Sequence, residues 1–131
     1  MKDIDSDGIL TYGCDGALIE HNVADGCGSY REDGGFNGSA AIWCTRGSNC
    51  IIQYNEAFNT HMLEGNADGT AFDIDIDAID CIVQYNYSHD NEGGFMLFID
   101  ASNSSGGIVR YNISQNDRTR IFMIAGGVQP N

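Results

Sequence analysis

The sequence predicts an all-β chain wound as a right-handed parallel β-helix, a solenoid of about four to five coils. Three observations predict it. First, the string apolar-apolar-x-(Tyr/His)-Asn occurs four times: Leu18-Ile19-Glu20-His21-Asn22, Ile51-Ile52-Gln53-Tyr54-Asn55, Ile82-Val83-Gln84-Tyr85-Asn86 and Ile108-Val109-Arg110-Tyr111-Asn112. Second, its Asn positions are 33, 31 and 26 residues apart, the period of a solenoid. Third, the apolar doublets are rich in Ile and Val, which favour strands, and no long amphipathic helical window is present. The hand follows from the rule for parallel crossovers.

Each coil divides into the same parts. The doublet is a strand that ends at an Asn corner, because Asn tolerates the left-handed backbone region. Asn22, Asn55, Asn86 and Asn112 should stack at this corner and hydrogen-bond along the column. A short strand follows, then a loop, then a longer strand at 40–44, 71–75, 94–98 and 120–124, with 8–11 ending an earlier turn. The loops are long in the first two coils (26–39 and 59–70) and short in the last two (91–93 and 116–119). Ile19, Ile52, Val83 and Val109 should form one inward column. All 131 residues read as a single domain.

Alternation along Phe72-Asp73-Ile74-Asp75-Ile76-Asp77 turns the apolar residues inward and Asp73, Asp75 and Asp77 outward. Coil alignment sets Trp43 beside Asp73, Met96 on its other side and Phe98 next to Asp75. An aromatic face beside carboxylates suits a sugar groove. Asp73 and Asp75 are the candidate catalytic pair. Residues two apart on a strand have Cα atoms roughly 6.6 Å apart. That spacing allows either the retaining or the inverting arrangement of glycosidase carboxyls. Trp43, Glu64, Asp68, Met96 and Phe98 are the candidate substrate-binding residues. The alternative for Asp73, Asp75 and Asp68 is a Ca²⁺ site, with Glu64 near it, since calcium takes several oxygen ligands. The remaining alternative is a solvated acidic ladder.

His89, in the loop after the Asn86 corner, is a candidate proton carrier. His61 lies in the second long loop, and His21 replaces the repeat Tyr in a structural position. Cys50 and Cys81 occupy one repeat position and should stack inward as small core residues. Cys14 and Cys27 could pair, but no CxxC motif points to structural zinc. Asp3-Ile4-Asp5-Ser6-Asp7-Gly8 begins like a calcium loop, yet Cys14 stands where the final acid belongs, which excludes an EF-hand. The net charge of −13 excludes nucleic-acid binding, which needs a basic patch. No apolar run approaches the length of a membrane helix, and Lys2 leads into acidic residues, unlike a signal peptide.

These residues resemble the right-handed parallel β-helix repeat of the pectate-lyase-like superfamily. Asp68-Gly69-Thr70-Ala71-Phe72-Asp73-Ile74-Asp75 and the later Gln84-Tyr85-Asn86-Tyr87-Ser88-His89-Asp90-Asn91 are similar to a bacterial subgroup of β-helix repeat proteins, some near polysaccharide lyases and glycoside hydrolases. The resemblance implies an active site on the outward face just described, walled by the two long loops. It implies a carbohydrate-active domain that degrades or binds a polysaccharide or oligosaccharide, most simply a glycoside hydrolase relative. The alternatives are a non-catalytic structural or surface-adhesion module and a calcium-dependent polysaccharide lyase relative. A lyase would need a basic residue. Lys2 is remote, and Arg31, Arg46 and Arg120 are the other candidates. Members are longer and usually exported, so the chain is expected to be a fragment without full caps, from the cell surface or outside. Its uncapped ends are expected to associate end to end.

Overall fold

In the computed structural model the described residues are 1–28, 39–63, 68–99 and 103–126. They carry strands and turns but no helix. Strand β1 (Lys2–Ile4) precedes a first coil of β2 (Ile9–Tyr12), β3 (Leu18–Glu20) and β4 (Val23–Cys27). The second coil is β5 (Ala40–Thr45), β6 (Ile51–Gln53) and β7 (Glu56–Phe58). The third is β8 (Thr70–Ile74), β9 (Ile82–Gln84) and β10 (Tyr87–His89). The fourth is β11 (Gly94–Ile99), β12 (Ile108–Arg110) and β13 (Ile113–Gln115), and β14 (Phe122–Ala125) follows. Corresponding strands pair in parallel into three sheets: β2-β5-β8-β11-β14, β3-β6-β9-β12 and β1-β4-β7-β10-β13. The predicted parallel β-helix is therefore what the chain forms.

The core lies between the three sheets. Ile19, Ile52, Val83 and Val109 share one register column and face inward. Ile42, Phe72 and Met96 form another, with Cys44, Ile74 and Phe98 two residues further along their strands. The third sheet contributes small residues, Ala24, Ala57 and Ser88. Small side chains there let it approach the other two closely. Cys50 and Cys81 are buried as predicted, while Cys14 and Cys27 remain free thiols.

The Asn column forms, with one difference. The side-chain oxygens of Asn55, Asn86 and Asn112 each accept the backbone N–H of the Asn in the coil before, at 3.0, 2.9 and 2.8 Å. The left-handed residue, however, is the one preceding Asn: His21, Tyr54, Tyr85 and Tyr111 have φ between 54° and 56°. The backbone cost of a bulky residue there, about 1–2 kcal/mol, is offset by stacking of its ring. The four rings stack with centroids 5.4, 5.3 and 5.1 Å apart. Asn is present for its amide rather than for its backbone tolerance.

Candidate functional site

The outward side of the sheet β2-β5-β8-β11-β14 gathers Trp43, Asp68, Asp73, Asp75 and Asp7. Trp43 pairs directly with Asp73, as alternation predicts. On the other side of Asp73 stands Leu97, not Met96. Met96 pairs with Phe72 and Phe98 with Ile74, which turns both into the inward columns. Both are corrections to the predicted sugar platform. A one-residue difference in register exchanges the two faces of a strand. Here Gly94 is fixed level with Thr70, against the Arg120 carbonyl, where a Cβ would collide. The alternation also stops early. Strand β8 ends at Ile74, and the chain turns through Ile76 to a left-handed Asp77 (φ 57°). The turn is held by Ile76 O, which accepts the Arg46 N–H at 2.8 Å and the Thr45 hydroxyl at 3.1 Å.

Asp73 is the centre of the group. It is only 4 % exposed, in contrast to the wet carboxylate expected from sequence, and its Oδ1 has no hydrogen-bond partner among the described residues. Burial drives its pKa well above the usual carboxylate range, and the charges of Asp75, Asp68 and Asp7 push it further the same way. Both effects favour the neutral acid. Asp68 and Asp75 are half-buried and are also raised, chiefly by burial. Asp75 accepts the Ile76 N–H at 2.6 Å and feels Arg46, both of which favour its ionised form. Asp68 is raised further by the charge of Asp75 and lowered by Arg120.

Asp7 and Arg120 complete the group, and sequence reasoning missed Asp7. It accepts the Ala40 N–H at 3.2 Å. Burial raises its pKa, against the opposing pull of the Ala40 N–H and of the Trp43 indole N–H, which lies beside it without a well-formed hydrogen bond. The Ile9–Ile42 pairing carries Asp7 to the level of Ala40, so coil counting from β2 could have found it. Arg120 has buried Nε and Nη2 atoms without hydrogen-bond partners among the described residues. Among the described residues the face thus holds donors (Trp43 and Arg120) and an acceptor (Asp73) without hydrogen-bond partners.

Other predicted residues lie elsewhere. His89 is on the third sheet, stacked between Phe58 (4.5 Å) and Tyr87 (4.7 Å), with Asp90 at 2.8 Å from Nδ1 and Glu56 at 3.2 Å from Nε2. These two acids raise its pKa, although burial opposes them. It is not brought to the Asp73 group. Glu64 and Arg31 lie outside the described residues. His61 pairs with Glu92 at 3.7 Å, and His21 belongs to the ring stack. Beside that stack runs a groove of about 690 Å³. Its Tyr rings already cover one another's faces, so it offers ring edges rather than a platform for a pyranose.

No family model matches this chain. It is 37% identical over 133 aligned positions to a lacto-N-biosidase of Bifidobacterium longum subsp. longum, an alignment spanning 93% of this chain and 8% of that protein. Among solved structures it resembles the GH136 lacto-N-biosidase of Eubacterium ramulus, with a TM-score of 0.68 and 24% identity, covering 95% of this chain and 24% of that one. At that identity the second likeness speaks to the fold alone.

Proposed function

We propose that the chain is the carbohydrate-active part of a β-helix glycoside hydrolase, acting on an oligosaccharide as a lacto-N-biosidase-like enzyme. The observation that carries this reading is the gathering of Asp7, Asp68, Asp73 and Asp75, all with raised pKa, beside Trp43 and Arg120. The similarity to a lacto-N-biosidase supports it.

The chemistry assigns different tasks to Asp68, Asp73 and Asp75. Asp73 is too enclosed to touch a sugar and acts as a positioning residue that stays protonated beneath the pair. Asp68 and Asp75 reach the surface. The Ile76 N–H and Arg46 favour the carboxylate of Asp75, so it serves as the base or nucleophile. Its charge keeps the proton on Asp68, which serves as the general acid for the departing glycosidic oxygen. Trp43 supplies a ring face beside the scissile bond. Three carboxyls could hold a hard cation, but Arg120 already provides positive charge beside Asp68, which argues against Ca²⁺ in that place.

The test is hydrolysis of a chromogenic aryl lacto-N-bioside by the chain, with and without chelator, alongside calorimetric binding of the free disaccharide. Asp75→Asn and Asp68→Asn should abolish turnover yet retain binding, and Trp43→Ala should weaken binding. Turnover should follow a bell in pH whose two limbs both lie above the ordinary carboxylate range. The absence of both binding and turnover would sink the proposal for this chain. Loss of activity on chelation would replace it with the calcium-dependent reading.

A further inference from the structure

Three of the five cysteines converge inside the solenoid, away from the aspartate face. Cys50 and Cys81 immediately precede β6 and β9, and the Ile51–Ile82 pairing sets them one above the other. Cys44 comes from β5 on the neighbouring sheet. All three are at most 1 % exposed, and their sulfurs lie within 4.8 Å of one another. An equilateral triangle of that edge has its centre about 2.8 Å from each sulfur, against about 2.3 Å for a metal–thiolate bond. A contraction of about 0.5 Å per sulfur closes the gap, within the reach of small χ1 adjustments.

The surroundings specify the kind of ion. Among the described residues no His or carboxylate joins the three sulfurs, so a tetrahedral zinc would lack its fourth strong ligand. The walls are apolar, with Ile74 beside Cys44 and Ile52 and Val83 following Cys50 and Cys81. Without an ion, the thiols make weak contacts: Cys50 donates to Ser48 O at 3.6 Å and Cys14 O at 3.7 Å, Cys81 to Ile79 O at 3.5 Å, and Cys81 lies in thiol–thiol contact with Cys44 and Cys50. The buried Thr11 hydroxyl beside Cys50 makes no conventional hydrogen bond. It stands ready to steady a thiolate. Soft, low-coordinate ions prefer such all-sulfur sites.

We propose that Cys44, Cys50 and Cys81 form a buried three-coordinate site for a soft monovalent d¹⁰ cation of the Cu⁺ class. Binding displaces two thiol protons to solvent and leaves two thiolates and one neutral thiol around the ion, a single net negative charge. Because the site is closed, the ion enters as the chain folds. The bound ion ties β5 to β6 and β9 across a turn of the solenoid.

The experiment refolds the reduced chain anaerobically with Cu⁺ supplied as its acetonitrile complex, followed by desalting. One copper per chain should be retained, with an ultraviolet thiolate-to-copper charge-transfer band and a raised melting temperature. Cys14→Ser/Cys27→Ala should behave identically, whereas Cys44→Ala/Cys81→Ala should lose the band and the copper. Should that variant fail to fold, X-ray absorption on the wild-type chain decides: three sulfurs in a single shell support the site, and fewer overturn it. Retention of copper by a folded Cys44→Ala/Cys81→Ala chain would overturn it. So would a disulfide joining two of the three cysteines in protein purified without reductant.

Discussion

Enclosed polar side chains gather at two places in this solenoid, and they differ in how completely they are satisfied among the described residues. At the Asn corner, Asn55 donates to Ile19 O and Gln53 O at 2.9 Å, reaches Asn86, and accepts both the backbone and side-chain N–H groups of Asn22. On the outward face of the first sheet, Asp73, Trp43 and Arg120 have enclosed polar atoms that find no hydrogen-bond partner among the described residues. The first gathering stabilises the coil stack. The second, left without hydrogen-bond partners among the described residues, costs stability.

The contrast can be broken most severely on its structural side. Ile52→Asp, on the strand leading into the Asn55 corner, would bury an unpaired carboxylate and should destabilise the chain by at least about 4 kcal/mol in urea unfolding. A variant that melts like the parent would refute the inward column. Asn55→Ala should cost about 2–4 kcal/mol, because it strands the Asn22 N–H and the Ile19 carbonyl, whereas Asn112→Ala, partly open to water, should cost about 1 kcal/mol. Equal costs would mean that burial does not govern the ladder.

Asp73→Asn should act with opposite sign. The folded-state pKa of Asp73 is raised, so its contribution is fully present below the ordinary carboxylate range and is lost as pH rises toward the folded value. At neutral pH the amide removes that loss, and the melting temperature should rise and vary less with pH. A lower melting temperature at pH 7 would show that Asp73 has a partner on this face. The smallest effect belongs to Tyr85: Phe in its place keeps the stack and should shift stability by no more than about 0.5 kcal/mol, against about 1 kcal/mol for Ala.

The satisfied column was legible from sequence because it repeats. Four copies of one string fix corner, inward doublet and period together, and the Asn22–Asn55–Asn86–Asn112 column follows. The division of labour between Tyr and Asn did not, since either residue can accept positive φ. The site was legible only in part. Trp43 opposite Asp73 follows from alternation within two coils of similar length. Met96 and Phe98 were misplaced because the third coil is shorter, and nothing in its apolar run Phe95-Met96-Leu97-Phe98 marks which residues face in. The burial of Asp73 was invisible for a different reason: it arises from groups distant in sequence, and a carboxylate on an outward strand position reads as wet. Asp7 was set aside with a failed calcium motif, although its place one coil below Ala40 is what matters.

The corners act as fixed stations, whereas the span between the third sheet and the first is free to change. It runs from Cys27 to Ala40 in one coil, from Thr60 to Thr70 in the next and only from Asn91 to Gly94 in the third, with the Asn and Tyr columns in register throughout. Evolution can therefore lengthen or trim the chain at this one gate without renegotiating the rest of the scaffold.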